Sequence, residues 1–144
     1  MKKFENLELP LKERREAFLN DLVNHYNTSN RCTSEDGFCY YYPGHSPNNT
    51  EGCAIGRHLM FDKYDGNPMD LNHDLTSIRY GQGAGIAVVF DNSVFKPLMP
   101  EWLRDLGKDF LISCQFLHDV DDHWNSDGMT HEGECTVARV RETI

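Results

Sequence analysis

The run Gly52-Cys53-Ala54-Ile55-Gly56-Arg57 places a thiol between small residues, with a guanidinium following at Arg57. Glycine and alanine on both sides let backbone pack closely around a reactive or ligating side chain. If Cys53 stands at a strand-to-helix turn, helix-end N–H groups would lower its pKa and could hold an oxyanion. His118 is then a candidate general base, with Asp119 or Asp122 to orient it, because such sets assemble in space rather than in sequence. The sequence offers no Gln or Asn obviously placed to complete an oxyanion hole. The competing reading makes Cys53 a small buried residue packed behind a hairpin against Cys39. Catalysis by Cys53, His118 and Asp119 is therefore the alternative, and the balance falls against an enzyme.

A second chemistry is metal binding. His118 and Asp122 are four apart, as are Asp119 and His123, so on one continuous helix each pair would share a side. Imidazole and carboxylate together suit zinc or manganese. A second His-Asp dipeptide, His73-Asp74, adds little, since chance supplies it often. His118 also continues an apolar stripe, which favours a hydrogen-bonded core histidine with Asp119 holding its ring. We expect no metal and no cofactor, and keep His118, Asp119, Asp122 and His123 as the alternative ligand set.

A third chemistry is recognition. Arg57 is a natural fork for carboxylate or phosphate, and Tyr41 or Trp124 could stack on a base beside His118. The competing role for Arg57 is an ion pair with Asp119 or Asp122 that ties a hairpin to the long helix. A protein-binding surface asks for less: the loop Gly44 to Glu51, or an apolar anchor from Phe95 and Trp102 near Pro97 and Pro100.

These residues need elements to position them. Leu11, Phe18, Leu22 and Tyr26 recur at helical steps and predict a helix over 11–27, entered at Pro10, with Lys12, Arg14 and Arg15 facing away. Phe38 to Tyr42 is aromatic and strand-like, and the Gly-, Pro- and Asn-rich loop after it predicts an antiparallel hairpin over about 37–60. The piece from Cys53 to Met60 reads either as the return strand or as a strand end turning into a short helix. Residues 62–85 read as an irregular connection, and Ile86 to Phe90 as a strand or a short buried helix.

The chain from 100 to 144 reads as helical. Pro100 opens a short helix closed near Gly107, and a second helix from Lys108 to Trp124 carries Phe110, Leu111, Cys114, Leu117 and His118 on one stripe. Asn125-Ser126-Asp127-Gly128 breaks it, and Thr130 caps a last helix with Val137, Val140 and Ile144 on one face. The expected fold is α+β: a single domain over residues 1–144, mostly helical, with a small antiparallel β-hairpin.

At 144 residues the chain suits one domain with a real core. A formal charge of −9 opposes non-specific binding to nucleic-acid phosphates, though an acidic surface could imitate nucleic acid. Five cysteines with no CxxC pair fit neither a zinc ribbon nor a dense disulfide scaffold. No run approaches the length of a membrane span, and the first residues lack a signal-peptide core, so the expectation is a cytoplasmic protein without membrane contact.

The order His25-Tyr26-Asn27, Cys39-x-Tyr41, Cys53-Ala54-Ile55-Gly56-Arg57, then Phe110-Leu111 and Gln115-x-Leu117-His118-Asp119, with Trp124, Gly128 and Gly133, resembles a group of short bacteriophage and mobile-element proteins. The resemblance covers most of the chain apart from the middle connection, and it brings no activity with it. It implies a bacterial host cytoplasm and an accessory role during infection, of which antagonism of host defence is one form. The resulting expectation is a small binding protein whose partner is a host protein or a small anionic ligand. Its recognition residues would be Tyr41, Arg57, Trp124 and His118. A thiol-dependent hydrolase or transferase using Cys53 and His118 is the alternative.

Overall fold

The computed structural model describes residues 1–30, 52–67 and 89–144. Helix α1, Leu11–His25, buries Arg14, Phe18, Leu19 and Leu22 along one face. Arg14 departs from the expected pattern. Its stem lies in the core while Nε donates to Leu9 O at 2.9 Å and the guanidinium meets Asp105 at 2.8 Å. Arg15 likewise donates from Nε to Leu106 O at 2.8 Å. An arginine can lie against apolar surface when its head finds a fixed acceptor, a condition periodicity does not report.

The helix stops two residues earlier than expected because Asn27 and Asn30 build their own turn. Asn30 Nδ2 donates to His25 O, and Asn27 N donates to Asn30 Oδ1, each at 2.6 Å. Asparagine side chains thereby take over backbone groups that another helical turn would have used.

Before α1, a 3-10 turn at Lys3–Glu5 inserts Phe4 into the core. Phe4 meets Phe18 edge-on at 5.4 Å and Trp102 at 5.3 Å, while His58 lies 5.3 Å from Trp102. Trp102 belongs to α2, Glu101–Asp105, which starts after Pro100. Phe95 is buried and stacks on Tyr64 at 5.7 Å. Phe95 and Trp102 therefore pack the core rather than forming an exposed anchor. Residues 89–91 are helical, and Arg104 donates to the carbonyls of Val89 and Phe90 at their end.

Helix α3, Lys108–Asp119, follows Gly107, whose φ of +99° favours glycine. A Cβ there would also lie 2.7 Å from the Arg15 guanidinium. Phe110, Leu111, Cys114, Leu117 and His118 form the expected buried stripe, joined by Gln115. The helix ends at Asp119, not Trp124. Val120 is extended, a 3-10 turn at Asp121–His123 follows, and two later side chains close the helix end. Trp124 Nε1 donates to the carbonyls of Leu117 and His118 at 3.1 Å each, and His123 Nδ1 donates to Leu117 O at 2.9 Å. These bonds satisfy carbonyls that a helix end otherwise leaves bare.

The fold is α+β and mostly helical, and the small antiparallel sheet among the described residues lies at 124–129. Strands β1, Trp124–Asn125, and β2, Gly128–Met129, pair antiparallel, Trp124 opposite Met129 and Asn125 opposite Gly128. Asn125-Ser126-Asp127-Gly128, read as a helix break, is the turn that joins them. Of the expected hairpin over 37–60, residues 37–51 lie outside the described residues. Residues 52–60 form a turn and a 3-10 helix, Gly56–His58, instead of a return strand. At the start of the expected irregular connection, Phe61–Lys63 is also a 3-10 turn, and 68–85 lie outside the described residues.

Thr130 then caps α4, His131–Glu142, accepting from Gly133 N at 3.2 Å as its position predicts. Val137 and Val140 are buried on the inner face, with Ile144 partly buried against the core. Among the described residues no helix is long and apolar enough to cross a membrane.

Candidate functional site

Cys53 is fully buried at the entrance to the 3-10 turn, with its carbonyl accepting from Arg57 N at 3.1 Å. The preceding Gly52 has φ +96°, and its carbonyl accepts from the Tyr26 hydroxyl at 3.0 Å. Tyr26, at the end of α1, lies edge-on to the His118 ring at 4.7 Å and to Trp124 at 6.0 Å. The thiol motif, the end of α1 and the last turn of α3 therefore meet in one place.

Gln115 connects them. Its Oε1 lies 3.3 Å from Cys53 Sγ and 3.3 Å from Ile55 N, and both donate to it. Its Nε2 donates to Asp119 Oδ1 at 2.6 Å, and the same carboxylate oxygen accepts from His118 Nδ1 at 2.9 Å. The amide orientation is fixed at both ends. Reversing it would set an NH2 against the Ile55 N–H and an oxygen against a carboxylate.

This orientation decides what the cluster can do. An oxyanion hole must present N–H, whereas Gln115 turns its oxygen toward the sulfur. The contact the sulfur makes here is therefore to an acceptor oxygen and not to an oxyanion-binding N–H. Cys53, His118 and Asp119 are thus brought to one neighbourhood, as the catalytic alternative requires, with the Gln115 amide bridging the thiol and the carboxylate. Cys114, deeper in the same helix, has its thiol pKa pushed up by burial.

Arg57 is committed elsewhere than expected. Its guanidinium pairs with Asp21 on α1, not with Asp119 or Asp122 on α3 or beyond, and its Nε donates to His58 Nε2 at 3.2 Å. Asp21 also accepts from Lys2 Nζ at 2.9 Å. Burial alone would raise the Asp21 pKa. The Lys2 hydrogen bond and the charges of Arg57 and Lys2 outweigh it, and the carboxyl stays below its ordinary range. His58 is pushed down to about 3, first by burial and then by the Arg57 charge, so it remains neutral in the fold. The ion pair joins the thiol motif to α1, whereas the expected pair would have joined it to α3.

The other recognition candidates separate. Trp124 is buried with its N–H spent on α3 carbonyls, so it closes a helix and offers no stacking face. His118 is fully buried against Tyr26. Tyr41, Cys39, the loop 44–51 and His73-Asp74 lie outside the described residues.

The alternative metal set loses its geometry at Val120, where the helix ends and the spacing of four no longer places residues on one side. His123 gives Nδ1 to Leu117 O and has Nε2 3.1 Å from the Thr136 hydroxyl, while Asp122 is exposed. Among the described residues no group of three or more His, Cys, Asp or Glu side chains could hold a metal ion.

Sequence reasoning missed Gln115 and Asp21. Gln115 stands four residues before Asp119 on the helix, a spacing that signals a side-chain pair. Its contact with Cys53 depends on how two distant segments dock, and no local pattern carries that. Comparison with known proteins finds no matching family model, no matching curated protein and no matching solved structure.

Proposed function

We propose that this protein acts by contact rather than turnover, as a small accessory protein of phage type that binds a host protein in the bacterial cytoplasm. The observation that carries the reading is the full burial of Cys53, the best nucleophile candidate, with the Gln115 amide oxygen and not an N–H donor facing its sulfur. A small anionic ligand is the weaker partner. Its chief recognition residue, Arg57, is already engaged in an ion pair with Asp21, and Trp124 has no open ring face. The net charge of −9 favours a partner with a basic surface.

Cys53→Ser tests the reading, because serine keeps a donor to Gln115 and removes the sulfur. Tagged wild-type and Cys53→Ser proteins are recovered from phage-infected bacteria, and phage yield is scored for both. The contact reading expects one stoichiometric chain to co-purify with both forms, and equal yield. Loss of the yield effect in a folded Cys53→Ser protein, with no chain retained by either form, would transfer the function to thiol chemistry.

A further inference from the structure

Away from the Cys53 cluster, α4 carries an exposed thiol on its outer face. Cys135 and His131 are one helical turn apart, both are exposed, and Cys135 Sγ lies 3.7 Å from His131 Nε2. The pair borders a groove of about 340 Å³ between α3 and α4, which Phe116, Glu132 and Arg139 also line. Neither side chain is needed by the core: the buried face of α4 is made by Gly133, Val137 and Val140.

The two side chains are hydrogen-bonded to each other, and the same separation suits a shared metal ion. Zinc bonds of about 2.3 Å to sulfur and about 2.0–2.1 Å to nitrogen, at a tetrahedral angle, require roughly 3.5 Å between S and N. The observed 3.7 Å meets that requirement with little movement of either side chain. Because both residues sit on one helical turn, their backbone spacing is already set and only side-chain rotamers are fixed on chelation. A thiolate and an imidazole together select a borderline-soft divalent ion over magnesium or calcium, which take oxygen ligands.

We infer that His131 and Cys135 form a two-residue surface site for one borderline-soft divalent ion of the zinc class. Its remaining coordination positions are open to water. Binding replaces the thiol proton by the metal, so one proton is released per ion and affinity rises with pH. The inference is independent of the contact reading and does not involve Cys53.

Cobalt(II) is the probe, because a sulfur ligand gives a thiolate-to-cobalt charge-transfer band that water and carboxylates do not. The full chain, reduced with a phosphine, is titrated with cobalt(II) and then with zinc. Wild type should show the band at one equivalent, and zinc should bleach it. Cys135→Ser should lose the band. His131→Ala should weaken binding by roughly tenfold or more, a range already seen for groups that merely support a metal ligand. Circular dichroism should be unchanged in both variants, as their side chains lie outside the core. No band in wild type, a band that persists in Cys135→Ser, or a band indifferent to His131→Ala would each overturn the assignment.

Discussion

Gln115 Oε1 accepts from both Cys53 Sγ and Ile55 N at 3.3 Å, and Gln115 Nε2 donates to Asp119 at 2.6 Å. One buried amide thus satisfies the thiol turn and the carboxylate that orients His118. Gln115→Leu would leave the Ile55 N–H and an Asp119 oxygen without this partner inside the protein. Unsatisfied buried groups cost about 1–3 kcal/mol, and the urea midpoint should fall accordingly. A variant as stable as wild type would show that the amide is not a structural link.

Arg57 and Asp21 should be coupled. Arg57→Ala is expected to destabilise the fold by roughly 1–3 kcal/mol, toward the lower side of buried pairs because Asp21 keeps some solvent contact. Asp21→Asn should cost less, and the double variant should fall short of the sum of the two. Strict additivity in a double-mutant cycle would contradict a direct pair.

His58 makes stability fall in acid. Its folded pKa of about 3 lies below the ordinary 6.5, so between these values the unfolded chain binds the proton and the folded chain does not. Stability contributed by neutral His58 is full above about pH 6.5 and is lost as pH falls toward 3, by an amount on the order of a few kcal/mol. Asp21, with a lowered pKa, adds loss in the same direction below the ordinary carboxylate range. Denaturation curves at pH 7 and pH 4.5 should differ in this sense, and the difference should shrink in His58→Gln. Equal stability at both pH values would refute the assignment.

Gly133 is required by space rather than by backbone angle. A Cβ there would stand 2.5 Å from His123 O and 2.5 Å from Met129 Cγ. Gly133→Ala should therefore destabilise by about 1–3 kcal/mol despite the better helix propensity of alanine. A gain in melting temperature would mean that α4 can move away from the β1–β2 turn.

The helical part of this fold was legible because it is local. The stripe of α3, the Thr130 cap and the inner face of α4 each follow from spacing within a few residues. The β1–β2 hairpin escaped notice because Asn125-Ser126-Asp127-Gly128 signals a helix break and a hairpin turn equally well. Two-residue strands leave no alternation to detect. At the site, Cys53, His118 and Asp119 could be named from type alone, and they do converge. Their meaning turned on Gln115 and on the Arg57–Asp21 pair. Both join segments far apart in sequence, so neither leaves a periodic trace.

That Cys53 is packed away from substrate is tested most directly by alkylating the native protein with iodoacetamide at pH 7 and mapping the modified peptides. The account predicts rapid labelling of exposed Cys135, with Cys53 and Cys114 labelled only after denaturation. Labelling of native Cys53 as fast as Cys135, or faster, would contradict it and return the Cys53–His118–Asp119 cluster to catalysis.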